Sequence, residues 1–244
     1  MIRSGIFGAI LAGLLASAAP ACAGDTASLN VLGYSADGRV FVFEEYGIQD
    51  GSGFPYSVFY FIDTENDSYV PGTPIRVLKE DEGALVEARR TARGNAQALL
   101  DRYRPEENPG IVLAHNPISE ADSDPHRVRY HIYPSSPPMA ETSTLELKEK
   151  PFPTPKRCIE MAGAYSGFTL KLTEALGKKV ELTLHDDEAV PQSRSCANGY
   201  RIGAVIRGDD EIKPFIAMIQ LSRFGFEGND LRWIAVPFRP PQVN

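Results

Sequence analysis

Histidines and carboxylates gather in two stretches of the chain, and these side chains are the best suited to metal chemistry. The first stretch, HNPISEADSDPHRVRYH, contains His115, His126 and His131 together with three acidic residues. The second, LHDDE, places His185 beside three more acidic residues. Imidazole and carboxylate groups are common ligands of zinc and related ions, so a metal-dependent hydrolase that uses these histidines is one hypothesis.

The spacing of these histidines gives the metal hypothesis little support. The sequence lacks the compact ligand spacings of zinc fingers and of helical metalloprotease motifs. His126 and His131 lie five positions apart, which on a β-strand places their side chains on opposite faces. Polar turns exposed to solvent are the simpler interpretation of both stretches, and we expect neither a metal site nor a cofactor.

Signals for nucleophilic or phosphate chemistry are also weak. GAYSGF, residues 163–168, resembles the nucleophile elbow of hydrolases, but alanine stands where glycine is required two residues before the serine. The sequence contains no phosphate-binding loop followed by lysine and no calcium-loop pattern. Glu44, Glu45 and Asp50 are carboxylates of the type used in glycoside hydrolysis, yet surface carboxylates are common in all proteins. The sequence therefore favours a non-enzymatic protein.

The loop YGIQDGSGFPYS, residues 46–57, is the other candidate site, because it separates two of the most apolar runs in the chain. Its glycines allow the backbone to form a long loop, and the loop contains more apolar side chains than a simple turn requires. We favour a packed loop whose side chains fold back onto the end of the sheet. The alternatives are a binding surface for a partner or ligand, formed by Asp50, Phe54 and Tyr56, and a metal loop formed by Asp50 and Ser52.

The N-terminal segment predicts that the chain is exported. Arg3 precedes a short apolar run, and small residues follow that end in Ala21-Cys22-Ala23, a pattern typical of a cleaved signal peptide covering residues 1–23. The run is too short for a permanent membrane helix, and we expect no membrane span elsewhere. The mature protein is therefore expected in the periplasm or outside the cell.

Charge and cysteine content add two expectations. The chain has 25 Lys and Arg against 32 Asp and Glu, a net charge of −7. Nucleic acids are bound mainly through Lys and Arg, so we expect no nucleic-acid partner. Two cysteines, Cys158 and Cys196, remain after removal of the signal peptide, and an oxidising compartment favours a disulfide between them. Unpaired cysteines and a reactive thiol are the alternatives.

Alternating and continuous apolar runs predict a mainly β fold. We expect one domain over residues 24–244, with an N-terminal meander at 28–73, an amphipathic helix at 82–103 and further strands at 110–240. Apolar side chains occupy both faces of the early strands, so both faces should be covered. The architecture that follows is a set of antiparallel meanders forming a sandwich or a propeller-like assembly with one packed helix.

The arginines of the predicted helix allow two interpretations. Arg89, Arg90 and Arg93 either lie on a face exposed to solvent, which we favour, or form an anion-binding patch.

Several longer motifs resemble a known family. SADGRVFVFEEYGIQDGSGFPYS, VPGTP, EARRTAR and GFEGNDLRWIAV are similar to the predicted secreted bacterial proteins called domain of unknown function 2259. The likeness runs through essentially the whole mature chain, but it implies no activity and no catalytic residues. SADGRVFVF followed by FYFIDTENDSYV also resembles one blade of a propeller protein.

These observations together predict a non-enzymatic periplasmic binding or assembly factor. Its loops would be offered to an unknown protein or to a small envelope ligand. The metal-dependent hydrolase and a structural cell-envelope protein are the alternative functions.

Overall fold

Antiparallel strands joined by short turns build a five-stranded N-terminal sheet. Its strands are β1 (Ser28–Tyr34), β2 (Val40–Ile48), β3 (Pro55–Asp63), β4 (Ser68–Tyr69) and β5 (Ile75–Leu78). β3 pairs with β2 along one side and with β4 and β5 along the other. The turn between β1 and β2 is the Asp-Gly turn of the sequence, in which Gly38 has a φ of 70° that glycine adopts without strain.

The computed structural model describes residues 24–80, 83–162, 164–210 and 213–241. The predicted signal peptide, residues 1–23, lies outside the described residues. The amphipathic helix is α1 (Leu85–Tyr103), and the start predicted for it at residue 82 also lies outside them. In the described part of the chain no helix is long and apolar enough to cross a membrane.

Two four-stranded antiparallel sheets follow the helix. The central sheet has the order β13-β12-β11-β6, and the outer sheet has the order β10-β9-β8-β7. The central strands are β6 (Ile111–His115), β11 (Ala197–Arg207), β12 (Phe215–Phe224) and β13 (Asn229–Phe238). The outer strands are β7 (Arg127–His131), β8 (Thr142–Pro151), β9 (Ser166–Ala175) and β10 (Lys178–Asp186). A short helix, α2 (Lys156–Ala162), joins β8 to β9, and single 3-10 turns lie at Pro105–Glu107 and Gln192–Arg194.

Alternation along the strands explains how these sheets stack. On β12, Ile216 and Met218 pack into the core shared with the N-terminal sheet, while Ala217 and Ile219 pack into the core shared with the outer sheet. The central sheet is therefore covered on both faces, in the order helix, N-terminal sheet, central sheet, outer sheet. This stack is the sandwich form of the predicted architecture, and the described strands do not close into a barrel.

The prediction that the early strands are covered on both faces is confirmed. Phe41 and Phe43 of β2 face the central sheet, and Phe43 stacks on Tyr60 with ring centroids 4.6 Å apart. Val40 and Val42 face α1. Because α1 buries small side chains, chiefly alanines, it lies close against the sheet.

The predicted disulfide is present. Cys158 of α2 is bonded to Cys196, which directly precedes β11, and the two Cα atoms are 5.5 Å apart. Both side chains are buried, and the partly buried Tyr165 packs against them. The bond therefore ties the connection between two outer-sheet strands to the central sheet.

Replacement of both cysteines by alanine should lower the free energy of unfolding by about 4 kcal/mol, since the bond closes a loop of 38 residues. Urea unfolding of the double variant and of the oxidised parent would measure the difference. The reduced parent is the matched control and should resemble the variant. Equal stability of the variant and the oxidised parent would contradict this expectation.

Candidate functional site

The candidate site is a cleft beside β13, which is the edge strand of the central sheet. It consists of two neighbouring cavities of about 230 Å³ and about 300 Å³. Residues from β3, β4, the 3-10 turn before β11 and β13 line both cavities: Tyr60, Tyr69, Ser193 and Ile234. His185 of β10 also lines the second cavity, so all three sheets contribute to this cleft.

A buried carboxyl group, Glu45 of β2, lies at the base of the first cavity. Its Oε1 accepts a hydrogen bond from the hydroxyl of Tyr60 at 2.7 Å, and its Oε2 accepts one from the backbone N–H of Trp233 at 2.9 Å. Burial raises the pKa of Glu45, and the hydrogen bonds and the nearby Arg232 and Arg76 oppose that rise without cancelling it. The group thus joins the N-terminal sheet to the edge of β13.

A buried arginine, Arg232 of β13, forms the wall beside Glu45. Its guanidinium donates to Asp25 Oδ2 at 2.6 Å and to Asp230 Oδ2 at 3.3 Å. It also lies 4.9 Å from the ring centroid of Tyr56, whose hydroxyl donates to Asp25 Oδ1 at 3.1 Å. A charge this deeply buried is tolerated because carboxylates compensate it.

A second arginine, Arg76 of β5, lies at the rim of the first cavity and is exposed. Its guanidinium is 5.7 Å from the ring centroid of Tyr60. No carboxylate of the described residues lies within ion-pair distance of Arg76, whereas Arg223 and Arg232 of the same cavity both pair with Asp230. Arg76 is therefore the cation of this cavity that an incoming anion can reach.

A histidine bridge closes the second cavity. His185 of β10 contacts Asp187 Oδ1 through Nε2 at 2.9 Å and Asp67 Oδ2 through Nδ1 at 3.3 Å. Asp187 in turn pairs with Arg194 at 2.6 Å. Because Asp67 belongs to the turn between β3 and β4, this bridge links the outer sheet to the N-terminal sheet.

The bridge fixes the charge state of His185. Burial lowers its pKa, but the hydrogen bonds to Asp187 and Asp67 outweigh burial and raise the pKa to about 9. With both ring nitrogens bound to carboxylates, the imidazolium cannot accept a proton from Ser193, which lines the same cavity. Histidine, aspartate and serine are thus close together here without forming a working catalytic triad.

The histidines predicted as alternative metal ligands are held apart by separate partners. His115 is exposed at the end of β6, His126 Nε2 lies 3.1 Å from the carbonyl oxygen of Tyr200, and His131 Nδ1 lies 2.6 Å from that of Ala140. No group of three or more His, Cys, Asp or Glu residues among those described could hold a metal ion. The structure therefore does not bring the four histidines of the hydrolase hypothesis together as one ligand set.

The interpretation of LHDDE as a turn exposed to solvent also needs correction. Asp187 is buried, and the side chain of His185 is only 17% exposed. The ring of His185 stacks on Phe168 with centroids 4.7 Å apart. This stretch therefore packs against the core at the end of β10, where His185 forms the bridge to Asp67.

The segment YGIQDGSGFPYS, residues 46–57, contributes to both the cleft and the surface. Tyr56 is buried and lines the first cavity, as the packed-loop interpretation predicts. Asp50 accepts the backbone N–H of Glu227 at 3.0 Å, and Gly51 lies so close to Phe226 that a Cβ would be 2.9 Å from its ring. Phe54 is partly exposed.

The loop between β2 and β3 thus packs on the loop between β12 and β13. We call residues 48–54 and 224–228 together the hairpin-tip surface; Phe226 within it is 76% exposed. The binding role of Asp50, Phe54 and Tyr56 stays a prediction.

The arginines of α1 are mostly engaged. Arg89 donates to both carboxylate oxygens of Glu44, at 2.9 and 2.8 Å, and stacks 3.8 Å above the ring of Tyr46. Arg93 pairs with Glu106 at 2.8 Å. Neither is available as part of an anion-binding patch, and Arg89 ties the helix to the sheet rather than facing solvent.

Sequence reasoning missed most of the cleft. No local pattern indicates a role for the side chains of Arg76 and Trp233. The sequence indicates Glu45 only as a carboxylate of the type used in glycoside hydrolysis or as an ordinary surface carboxylate, whereas the structure buries it. Glu45 and Trp233 are 188 positions apart in the chain, so no local pattern could have linked them. The likeness of GFEGNDLRWIAV to a family marked the segment without indicating its contacts.

The bridge at His185 should make stability depend on alkaline pH. Because the pKa is raised above that of an unfolded histidine, its contribution is present in full below about pH 6.5 and is lost as the pH rises through about 9. We expect that loss to be on the order of 2 kcal/mol in the free energy of unfolding. Asp67→Asn should reduce it, and His115→Gln should leave it unchanged. Identical pH profiles of the Asp67→Asn variant and the parent, from urea unfolding, would contradict the bridge.

Comparison with known proteins identifies a family. The family model described as "Predicted secreted protein (DUF2259)" matches residues 42–239, which include β3, the helix, the cleft and β13. Searches with the chain found no similar curated protein and no similar solved structure. The resemblance noted in the sequence is therefore confirmed over most of the chain. The protein belongs to the DUF2259 family of predicted secreted proteins.

Proposed function

We propose that this protein is a non-enzymatic binding factor that acts in the periplasm and holds its ligand in the cleft beside β13. The observation that carries the proposal is the arrangement at the first cavity. Arg76, without an ion-pair partner among the described residues, lies at a rim whose other arginines are neutralised by carboxylates. The membership of a family described as secreted supports export.

The composition of the cleft indicates the kind of ligand. Tyr56, Tyr60 and Trp233 supply aromatic surface in the first cavity, and Phe43 and Ile62 supply apolar surface in the second. Small-molecule sites combine such apolar walls with a few convergent polar groups, and typically measure roughly 300–1,000 Å³. The two neighbouring cavities fit that description. A ligand with an apolar body and one negatively charged group matches the lining.

The hydrogen bonding in the cleft favours binding over catalysis. A general base must lie within hydrogen-bond reach of the proton that it removes, and a nucleophile needs such a base beside it. Both oxygens of Glu45 already accept hydrogen bonds, and both nitrogens of His185 contact carboxylates. These groups hold the sheets in position, and they are poorly placed to transfer protons.

Trp233 is the single tryptophan of the chain, and it lines the first cavity, so its fluorescence reports on occupancy. We expect the emission to change on titration with one class of probe from a panel of aromatic carboxylates, phosphate monoesters and short acidic peptides. Arg76→Gln should weaken binding of that class about tenfold or more, because a hydrogen bond to a charged group is lost.

Arg90→Gln is the matched control, since Arg90 is an exposed arginine of α1 outside the cleft. Equal effects of the two substitutions, or a panel that leaves the emission unchanged, would contradict the proposal. The second result would leave a structural role in the cell envelope as the better explanation.

The hairpin-tip surface supports a second candidate function, that of an assembly factor that docks on another protein. Its motivating observation is Phe226, a large apolar side chain that is 76% exposed on a loop braced by Asp50 and Gly51. A braced loop presents its side chains with little loss of entropy on binding. Phe54 lies in the same surface.

A photoreactive amino acid at Phe54 or Phe226 should capture the same neighbouring protein in living cells. Met139 is the matched control, because it is 77% exposed but lies outside the hairpin-tip surface. Capture at Met139 equal to that at the two phenylalanines, or no reproducible capture at either, would rule out this second function.

A further inference from the structure

We infer that the ligand of the cleft is an extended peptide segment, which pairs with the outer edge of β13 as an additional strand. This inference rests on the proposed function, because it names the class of ligand for the same cleft. It depends on which backbone groups of β13 point away from β12.

The direction of the backbone groups follows from alternation along a regular strand. Leu231 exchanges two hydrogen bonds with the N-terminal segment: its N–H donates to the carbonyl of Asp25 at 2.8 Å, and its C=O accepts from Ala27 at 3.0 Å. The pairing of β13 with β12 contains no bulge. Every second residue after Leu231 therefore also points outward, which selects Trp233, Ala235 and Pro237.

Most of these outward groups have no partner within the described chain. The N–H of Trp233 donates to Glu45, and Pro237 has no N–H to donate. The C=O of Trp233 and both backbone groups of Ala235 make no hydrogen bond to any described residue. Ala235 is only 7% exposed and lines the second cavity.

The backbone N–H and C=O of a buried residue such as Ala235 are expected to have hydrogen-bond partners. Backbone groups buried without one are rare, because the lost hydrogen bonding to water is not replaced. An extended chain supplies such a partner, since its residue opposite Ala235 both donates an N–H and accepts one. The cavities beside Ile234 and Ala235 provide the space for that chain.

Glu45 and Pro237 determine the register of the added strand. Edge strands are commonly protected by prolines and by inward-pointing charges, and these two residues block the outward donors on either side of Ala235. The outward N–H of Ala235 is therefore free to pair, whereas Trp233 and Pro237 on either side offer only their carbonyl groups. A peptide can form the full two-bond pair at Ala235 alone, so one register is favoured over its neighbours.

The positive charge of Arg76 in the cleft favours a peptide that contains an acidic residue. Directly opposite residues of paired strands project to the same face. Trp233 packs in the core shared with the N-terminal sheet, so the peptide residue opposite it projects toward that sheet. Arg76 lies there, in the same cavity as Trp233 and without an ion pair among the described residues. We therefore expect Asp or Glu two residues from the peptide position that pairs with Ala235.

The test uses a hexapeptide probe, acetyl-Thr-Val-Glu-Val-Thr-Val-amide, and two analogues. One analogue carries Gln in place of Glu. The other has N-methyl groups on the backbone nitrogens of both Thr residues, which lie two positions from Glu and include the one expected to pair with Ala235. With ¹⁵N-labelled protein, we expect the parent peptide to shift the Ala235 amide resonance and to slow its hydrogen exchange. The N-methylated analogue should neither shift this resonance nor slow its exchange. The Gln analogue should bind about tenfold more weakly than the parent peptide. In the Arg76→Gln variant, the two peptides should bind equally.

Ala235→Pro provides a protein-side test, because the N–H it removes is not part of the pairing with β12. We expect it to weaken peptide binding about three- to tenfold, whereas the matched control Ala235→Ser keeps the N–H and should bind as the parent does. If the proline variant fails to fold, the N-methylated analogue still decides the question. Equal binding of the methylated and parent peptides overturns the inference.

The remaining outcomes separate this inference from the proposed function. A change in Trp233 emission with small anions but not with peptides overturns strand addition and leaves the binding function standing. No response to any probe overturns both. Slow exchange of the Ala235 amide without peptide, together with a dimer in solution, also overturns the inference, because the edge would then pair with a second copy of the chain.

Discussion

Burial of both faces of the central sheet is the constraint on which the rest of the structure depends. Ile216 and Met218 project from β12 to one side, and Ala217 and Ile219 project to the other, so each side needs its own cover. The N-terminal sheet and the outer sheet supply that cover. A sheet enclosed in this way can meet other molecules only along its edges. The position of the cleft, at the edge of β13, is a consequence of that enclosure.

Buried charges hold the three sheets at the edge of the cleft. Arg232 pairs with Asp25, and Arg194 pairs with Asp187, in both cases at 2.6 Å. Desolvation cancels much of the attraction in such pairs, but removal of one partner typically costs about 3–5 kcal/mol because an unpaired buried charge remains. These pairs therefore contribute more to positioning than to net stability. They determine which strand edges meet and which groups are left to face the cavities.

The division between scaffold and surface is visible in the loop between β2 and β3. Tyr56 packs inward and joins the network of Asp25 and Arg232, whereas Asp50 braces the loop between β12 and β13. A loop held at both ends is suited to presenting side chains. This loop forms part of the hairpin-tip surface, and Tyr56, which follows it in β3, lines the cleft. The two candidate functions thus use neighbouring parts of one structure.

The sequence by itself determined the local structure. The Asp-Gly turn at Gly38, the apolar strands around it and the helix over Leu85–Tyr103 depend on neighbouring residues, so periodicity and turn chemistry were sufficient to predict them. The disulfide was also predictable, because Cys158 and Cys196 are the two cysteines that follow the predicted signal peptide, and they allow a single pairing.

Only the tertiary structure decided the site. Glu45 meets Trp233 across 188 positions of the chain, and Asp67 meets His185 across two sheets. Which carboxylate neutralises which cation, and why Arg76 has no ion pair among the described residues, depends on how the sheets stack. That stacking is set by the shape of the whole core, and no stretch of sequence records it.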